Sequence, residues 1–446
     1  MDIEPKQKAN GLALIPFVVF AVFYVGLSLL AQYHYKVDMP FYAVPMPIAF
    51  LVASAAALFL GRRSTLTAKI DTYAAGMGDT NIMIMCLIFI LAGSFTAVAK
   101  GMGAVQAAVD ISQALIPARF ILAGTFLISC LIATSIGTSC GTIAALTPIA
   151  AGLVGPLGIS PSLIIGAVVG GAMFGDNLSM ISDTTIAATR TQGIAMREKF
   201  IANFKIALPA AIIVLAFYCL GGHPADAAAA AAPQITLKHV ILVIPYILIL
   251  ALALTGMNVM LLLFLGVVIA ALIGNCYGCF DFLGGLKLIG DGTLGMSETL
   301  IVAILAGGLL GLVRQNGGVQ WIVERIENSV GSVRGCEFGV ALLVAAVNLF
   351  TANNTVAIVI AGPIAKTLSD KFGCRPERIA SILDTTSCVI QGVIPYGAQL
   401  LIATSLAKSV GCEIDVFDLI RHLYYPMLLC AAIIVAIIVF GRGVKK

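Results

Sequence analysis

Long apolar runs recur along the chain, each closed by a short polar stretch. A helix of about 20 apolar residues crosses a hydrocarbon core of about 30 Å. The pattern predicts spans at about 11–31, 41–61, 80–98, 160–187, 201–220, 238–255, 257–275, 298–313, 379–406 and 422–441. Two other apolar stretches are interrupted by small polar residues: 120–135 with 142–155, and 337–350 with 355–366. Their arms reach only about 18–24 Å at about 1.5 Å per residue, so each pair predicts a re-entrant hairpin. The stretches near 100–118 and 314–335 predict amphipathic interfacial helices.

The pattern occurs twice. Ile90-Leu-Ala-Gly93 recurs as Ile304-Leu-Ala-Gly307. Lys100, Gly103, Val105, Gln106 and Asp110 recur as Arg314, Gly317, Val319, Gln320 and Glu324. Further on, Pro161 aligns with Pro376. Internal repeats of this size in an apolar chain mark secondary transporters. The expected fold is an all-α polytopic membrane protein made of two inverted repeats. Each repeat has five transmembrane helices plus one re-entrant hairpin, with broken helices at the midplane. The repeats are 1–220 and 238–446, and the linker 221–237 holds an alanine run.

Composition agrees. The chain is 60% hydrophobic and 11% charged, with mean hydropathy +1.04, whereas soluble domains carry about 25% charged residues. The net charge of +4 does not suggest nucleic acid. No signal-peptide cleavage site follows the first apolar run, which is read as a span. With both termini cytoplasmic, most of the 26 Lys and Arg fall on the inner side. The exceptions are Lys36, Lys100, Arg119, Lys238, Lys287, Lys408 and Arg421. Lys199 and Lys205 count as inner-loop residues in this scheme. Cys276 and Cys279 form a CxxC pair without a second pair or nearby His, so zinc is not expected. No phosphate-binding loop suggests ATP. An intramembrane enzyme lacks a His or Cys arrangement to support it.

Polar residues inside spans mark function. The fourth span carries Gly175-Asp-Asn-Leu-Ser-Met-Ile-Ser-Asp-Thr-Thr185. Asp176, Asn177, Ser179, Ser182, Asp183 and Thr184 there suit a small hard cation, with unwound backbone carbonyls adding ligands. Asp176 and Asp183 are the expected sodium ligands, with no Lys or Arg expected in the core. The hairpin tips are the second group. In the register that pairs Pro161 with Pro376, Thr138 and Ser139 fall on Asn353 and Asn354, followed by Thr355. The ninth span is the fourth span's counterpart. It carries Asp384, Gln391 and Gln399, with Gln391 opposite Asp176. Asp384 lies close enough to Arg378 that an interfacial salt bridge is the competing reading. Asp79, Asn81 and Glu298 read as caps at span starts, and Asp291 as an outer-loop residue.

Phe174-Gly-Asp-Asn-Leu-Ser-Met-Ile-Ser-Asp-Thr-Thr185 resembles the signature of the NhaC family of sodium/proton antiporters. That signature is close to Gly-Asp-x-x-Ser-Pro-x-Ser-Asp-Thr-Thr. Its proline is Met180 here, while Pro395 occupies the symmetric place. The resemblance implies an ion path lined by Asp176, Ser179, Ser182, Asp183 and Thr184, in a protein of the inner membrane that is often a homodimer. The expected activity is exchange of sodium for protons across the bilayer, with no cofactor. Protons and sodium would compete for Asp176 and Asp183, with Asp384 helping. The alternative is a sodium- or proton-coupled amino acid transporter on the same scaffold. A dicarboxylate carrier is disfavoured by a core without Lys or Arg, and a channel by the repeat and buried acids.

Overall fold

The computed structural model describes residues 8–36, 44–60, 65–115, 117–180, 182–220, 235–253, 257–327 and 330–441. The linker expected from 221 lies outside them up to residue 234. Every regular element among the described residues is helical. The longer helices fall into two runs. The first is α1 (Ile15–Tyr33), α2 (Met46–Phe59), α3 (Leu66–Met77), α4 (Thr80–Gly101), α5 (Ala104–Leu115), α6 (Ile121–Ile136), α7 (Ser139–Gly152), α8 (Pro161–Leu178), α9 (Asp183–Gln192) and α10 (Met196–Leu220). The second is α11 (Leu237–Ala253), α12 (Val259–Cys276), α13 (Phe282–Gly295), α14 (Ser297–Gln315), α15 (Gly318–Glu327), α16 (Val333–Thr351), α17 (Asn354–Phe372), α18 (Pro376–Val393), α19 (Ala398–Ser409) and α20 (Tyr424–Phe440).

Helix ends recur with the sequence. Prolines preset the helical φ at the starts of α8 and α18, and both helices start and stop at matching positions of the repeat. Gly137 after α6 and Ala352 after α16 also match, and both are left-handed (φ 76° and 46°). So are Gly158 and its counterpart Gly373 (φ 62° and 67°). α5 and α15 stand where interfacial helices were expected.

Seven stretches of described residues are long and apolar enough to cross a membrane. Two of them run through a break, Pro161–Gln192 and Pro376–Ser409. The chain is a polytopic helical membrane protein.

The structure differs from expectation in three places. α3 and α13 are helices where loops were expected, and Asp291 lies in α13. These helices are short and mixed in polarity, so hydropathy alone does not mark them. The arms of the second hairpin, α16 and α17, have 19 residues each, or about 28 Å. Their polar ends are helical too: Ser332 caps α16, and buried Glu337 is neutralised by Arg378 at 2.6 Å. Finally, Lys199 is not in a loop. It lies in α10 and is 1% exposed.

The repeated Ile-Leu-Ala-Gly motif has a packing role. Gly307 of α14 meets Gly76 of α3, and Gly93 of α4 meets Gly292 of α13. A methyl on any of these four glycines would strike the partner's carbonyl oxygen. Small residues at such points let helix backbones approach closely. Each run's short helix thus packs on the other run's long one. Elsewhere, Cys279 donates to the Met102 carbonyl (3.5 Å) and Cys276 is exposed at its helix end.

Candidate functional site

The first break, at 179–182, separates α8 from α9. Its hydroxyls compete with helical backbone bonding. Thr185 Oγ1 donates to the Ser179 carbonyl (2.7 Å). Ser182 Oγ accepts from the Thr185 N–H (3.2 Å) and caps α9. Thr184 Oγ1 is 3.0 Å from Ser182 Oγ. Ser182 and Thr184 therefore spend hydrogen-bonding capacity on shaping the break.

Asp176 sits in the last turn of α8 and is 6% exposed. Its Oδ2 accepts from Ser139 Oγ (2.9 Å) at the first hairpin tip. Asn177 is buried, and its amide donates to Tyr425 OH (3.2 Å). Asp183 opens α9 and is exposed. No hydrogen bond among the described residues joins it to Asp176, so the two expected sodium ligands stand in different environments.

The tips are built alike. After left-handed Gly137, Thr138 is extended and Ser139 starts α7. After left-handed Ala352, Asn353 is extended and Asn354 starts α17. Asn353 Oδ1 accepts from the Val356 N–H and Asn354 Oδ1 from the Thr355 N–H, both at 3.0 Å. Asn353, Asn354 and Thr355 are half-buried. Asn353 lines a cavity of about 40 Å³ with Thr351, Asp79 and Arg314.

Glutamines on either side of the second break (394–397) join the tips. Gln391 Nε2 donates to the Ala352 carbonyl (2.8 Å) and to Gln399 Oε1 (3.0 Å). Gln399 Nε2 donates to Ser139 Oγ (3.1 Å). An unbroken path thus runs from the second tip through both glutamines to Ser139 and Asp176. Tyr396, inside the second break, donates to the Leu349 carbonyl and ties the break to α16.

Asp384 is 1% exposed and does not pair with Arg378, which takes Glu337 instead. Its Oδ2 is 2.7 Å from Lys199 Nζ and accepts from Asn203 Nδ2 (2.6 Å). Lys199 also donates to the Asn177 carbonyl (2.9 Å) and to Thr185 Oγ1 (2.6 Å). Asn203 donates to the same Asn177 carbonyl (2.8 Å). The core therefore contains a lysine, contrary to the sequence reading, and the argument against an anionic substrate that rested on its absence falls.

The missed signal was helical spacing. Lys199, Asn203, Ala207, Ala210, Ala211, Val214 and Tyr218 form the buried stripe of α10. Lys199 and Asn203 stand one turn apart on that stripe. No group of three His, Cys, Asp or Glu is gathered among the described residues. An ion held here would use one carboxylate with neutral oxygens.

Broken helices, linked tips and a buried carboxylate network fit a secondary active transporter. A profile of the Na+/H+ antiporter family matches residues 43–220 and 227–442, so the chain belongs to that family. The resemblance carried by 174–185 is borne out.

Among curated proteins, the malate-2H+/Na+-lactate antiporter of Bacillus subtilis is 24% identical over 85% of this chain and 86% of its own. The Na+/H+ antiporter NhaC of the same organism is 25% identical over 86% and 89%. The arginine/ornithine antiporter ArcD of Halobacterium salinarum is 25% identical over 67% of each. A solved structure, the Alcanivorax borkumensis YdaH transporter, is a distant likeness at TM-score 0.45 and 15% identity, over 96% of this chain and 100% of its own. By family this chain is a multi-pass sodium/proton antiporter.

Proposed function

We propose that Asp176 is the exchange site, where sodium and a proton compete for one carboxylate. The observation carrying this reading is its setting. Asp176 is buried at a helix end, holds one hydroxyl of the first tip, and connects through Gln399 and Gln391 to the second tip. A buried carboxylate holding only neutral partners asks for a cation. Ser139 Oγ and backbone oxygens at the break would complete a sodium shell. Exposed Asp183 would meet the ion on its way in, and Asp384 would act on the site from behind Lys199.

The halves 1–220 and 238–446 would be inverted repeats, each with five spans and a pair of helices meeting at a polar tip. Both termini would be cytoplasmic, in the cell membrane. The reciprocal packing of Gly76 on Gly307 and Gly292 on Gly93 supports a two-fold relation. Rocking one bundle against the other would open the tips alternately to the two sides.

The test is proton flux driven by a sodium gradient in proteoliposomes of the full chain. Asp176→Asn, which keeps shape and removes charge, is expected to abolish it with normal membrane insertion. Undiminished flux in that variant rejects the assignment. An ion-coupled amino acid carrier is the second reading, favoured by the likeness to the arginine/ornithine antiporter. Cation-dependent uptake of a labelled amino acid would establish it.

A further inference from the structure

Five acidic or basic side chains are buried among the described residues: Lys69, Asp176, Lys199, Glu337 and Asp384. Two of them are occupied elsewhere. Lys69 donates to the Leu58 carbonyl (2.7 Å), and Glu337 is held by Arg378. The other three form one group. Lys199 and Asp384 are in contact, and both act electrostatically on Asp176. Asp183 is exposed and so falls outside the buried count. Lys199 cancels Asp384, which leaves the group one unit negative whenever Asp176 is ionised and empty.

We propose that Lys199 is a resident cation that permanently neutralises Asp384, so that Asp176 carries one sodium or one proton per half-cycle and exchange moves no net charge. This deepens the Asp176 reading and rests on it.

The geometry of the ammonium supports permanence. Its three donors meet three oxygens, Asp384 Oδ2, the Asn177 carbonyl and Thr185 Oγ1, at 2.7, 2.9 and 2.6 Å. Sodium at Asp384 would have to evict a fully satisfied ammonium. A proton there would leave that ammonium buried without its counter-charge, which is strongly unfavourable. Asp176 is different: a hydroxyl holds it, and no cation is within hydrogen-bond distance among the described residues.

The same count explains coupling. Empty, the group carries one uncompensated charge in a medium that penalises it. With one monovalent cation it is neutral. Only the loaded site crosses readily, so one cation must return for each that leaves.

The experiment uses the full chain in proteoliposomes, with sodium and pH gradients opposed and the membrane potential clamped by potassium and valinomycin. The gradient pair at which proton flux vanishes gives the coupling ratio. The expected result is zero flux at equal sodium and proton gradients, at every potential. A zero point that moves with potential, as two protons per sodium would give, overturns the proposal while leaving exchange at Asp176 intact. No sodium-driven flux at all would overturn both.

Lys199→Met keeps the aliphatic stem and frees Asp384. By the same count its empty group is two units negative and needs two monovalent cations for neutrality, so the sodium dependence of its flux is expected to turn from hyperbolic to sigmoidal. Lys199→Met combined with Asp384→Asn restores the charge count, and slower but potential-independent exchange is expected. If Lys199 only held helices together, the single variant would lose rate with a still hyperbolic sodium dependence, which also rejects the proposal. If the single variant fails to insert, the wild type and the double variant decide.

Discussion

The two broken helices have closely similar backbones and opposite chemistry. α8 and α18 begin on proline, end at matching positions of the repeat, and lead through short breaks into α9 and α19. In the first, the last turn holds Asp176. In the second, the matching residue is Gln391. A carboxylate only accepts hydrogen bonds, whereas an amide also donates. On the proposed reading, one break holds a cation and the other holds the first in place. The second half keeps a buried acid, Asp384, but the first half supplies Lys199 to cancel it. The two segments share a backbone course and differ in charge.

The largest effect should come from exchanging the two chemistries. Asp176→Asn should reduce sodium-driven proton flux to that of protein-free liposomes. Adding Gln391→Asp should not restore it. Gln391 must donate to Ala352 and Gln399, and a carboxylate offers no proton for that. Recovered flux in the double variant would mean that the halves are interchangeable after all.

Packing gives the next contrast. α8 lies against α6 so closely that a Cβ on Gly171 or Gly175 would meet backbone of Phe126 or Cys130. The residue of α18 matching Gly175 is Ile390. Gly175→Leu should cost about 3 kcal/mol or more, because backbone cannot yield as side chains do. Ile390→Leu should cost about 1 kcal/mol. Thermal unfolding in detergent would measure both, and equal losses would contradict the asymmetry.

A smaller effect is expected at the bridge between the tips. Gln399→Leu leaves the Ser139 hydroxyl and the Gln391 amide each short of a partner, at about 1–3 kcal/mol per unsatisfied group. Flux should fall about tenfold or more, since about 1.4 kcal/mol is a factor of ten. Little change in flux would show that the tips stay aligned without it. The smallest contrast is in capping. Asn353 caps α17 through its side chain, whereas Thr138 makes no such bond to α7. Asn353→Ala should cost about 1 kcal/mol and Thr138→Ala almost nothing, by the same unfolding measurement.

Much of this was legible in the chain because hydropathy and turn chemistry are local. Most of the long apolar helices, the breaks around 179–182 and 394–397, and the tips at Thr138 and Asn353 follow from runs of apolar residues and the small polar residues between them. What escaped depends on contacts between distant segments. Lys199 reads as a loop residue because it stands with Arg190, Arg197 and Lys205, a basic cluster that resembles a membrane edge. Only the turn-spaced Asn203 hinted that it faces inward. The role of Gly93 and Gly307 could not be read either, since their partners, Gly292 and Gly76, lie on short helices with little apolar signature. Asp183 shows the converse. Its motif context resembles that of Asp176, yet helix geometry leaves it exposed.

The pairing of Lys199 and Asn203 with Asp384 also bears on how the protein is made. Asn203 precedes Asp384 by 181 residues, so α10 leaves the ribosome long before α18. In that interval the membrane holds a lysine whose counter-ion has not been synthesised, and α18 then arrives carrying an acid that lipid tolerates poorly. Neither helix is comfortable in the bilayer until they meet. The ion pair therefore brings together two groups that are each costly in lipid, and does so only once both helices have been made.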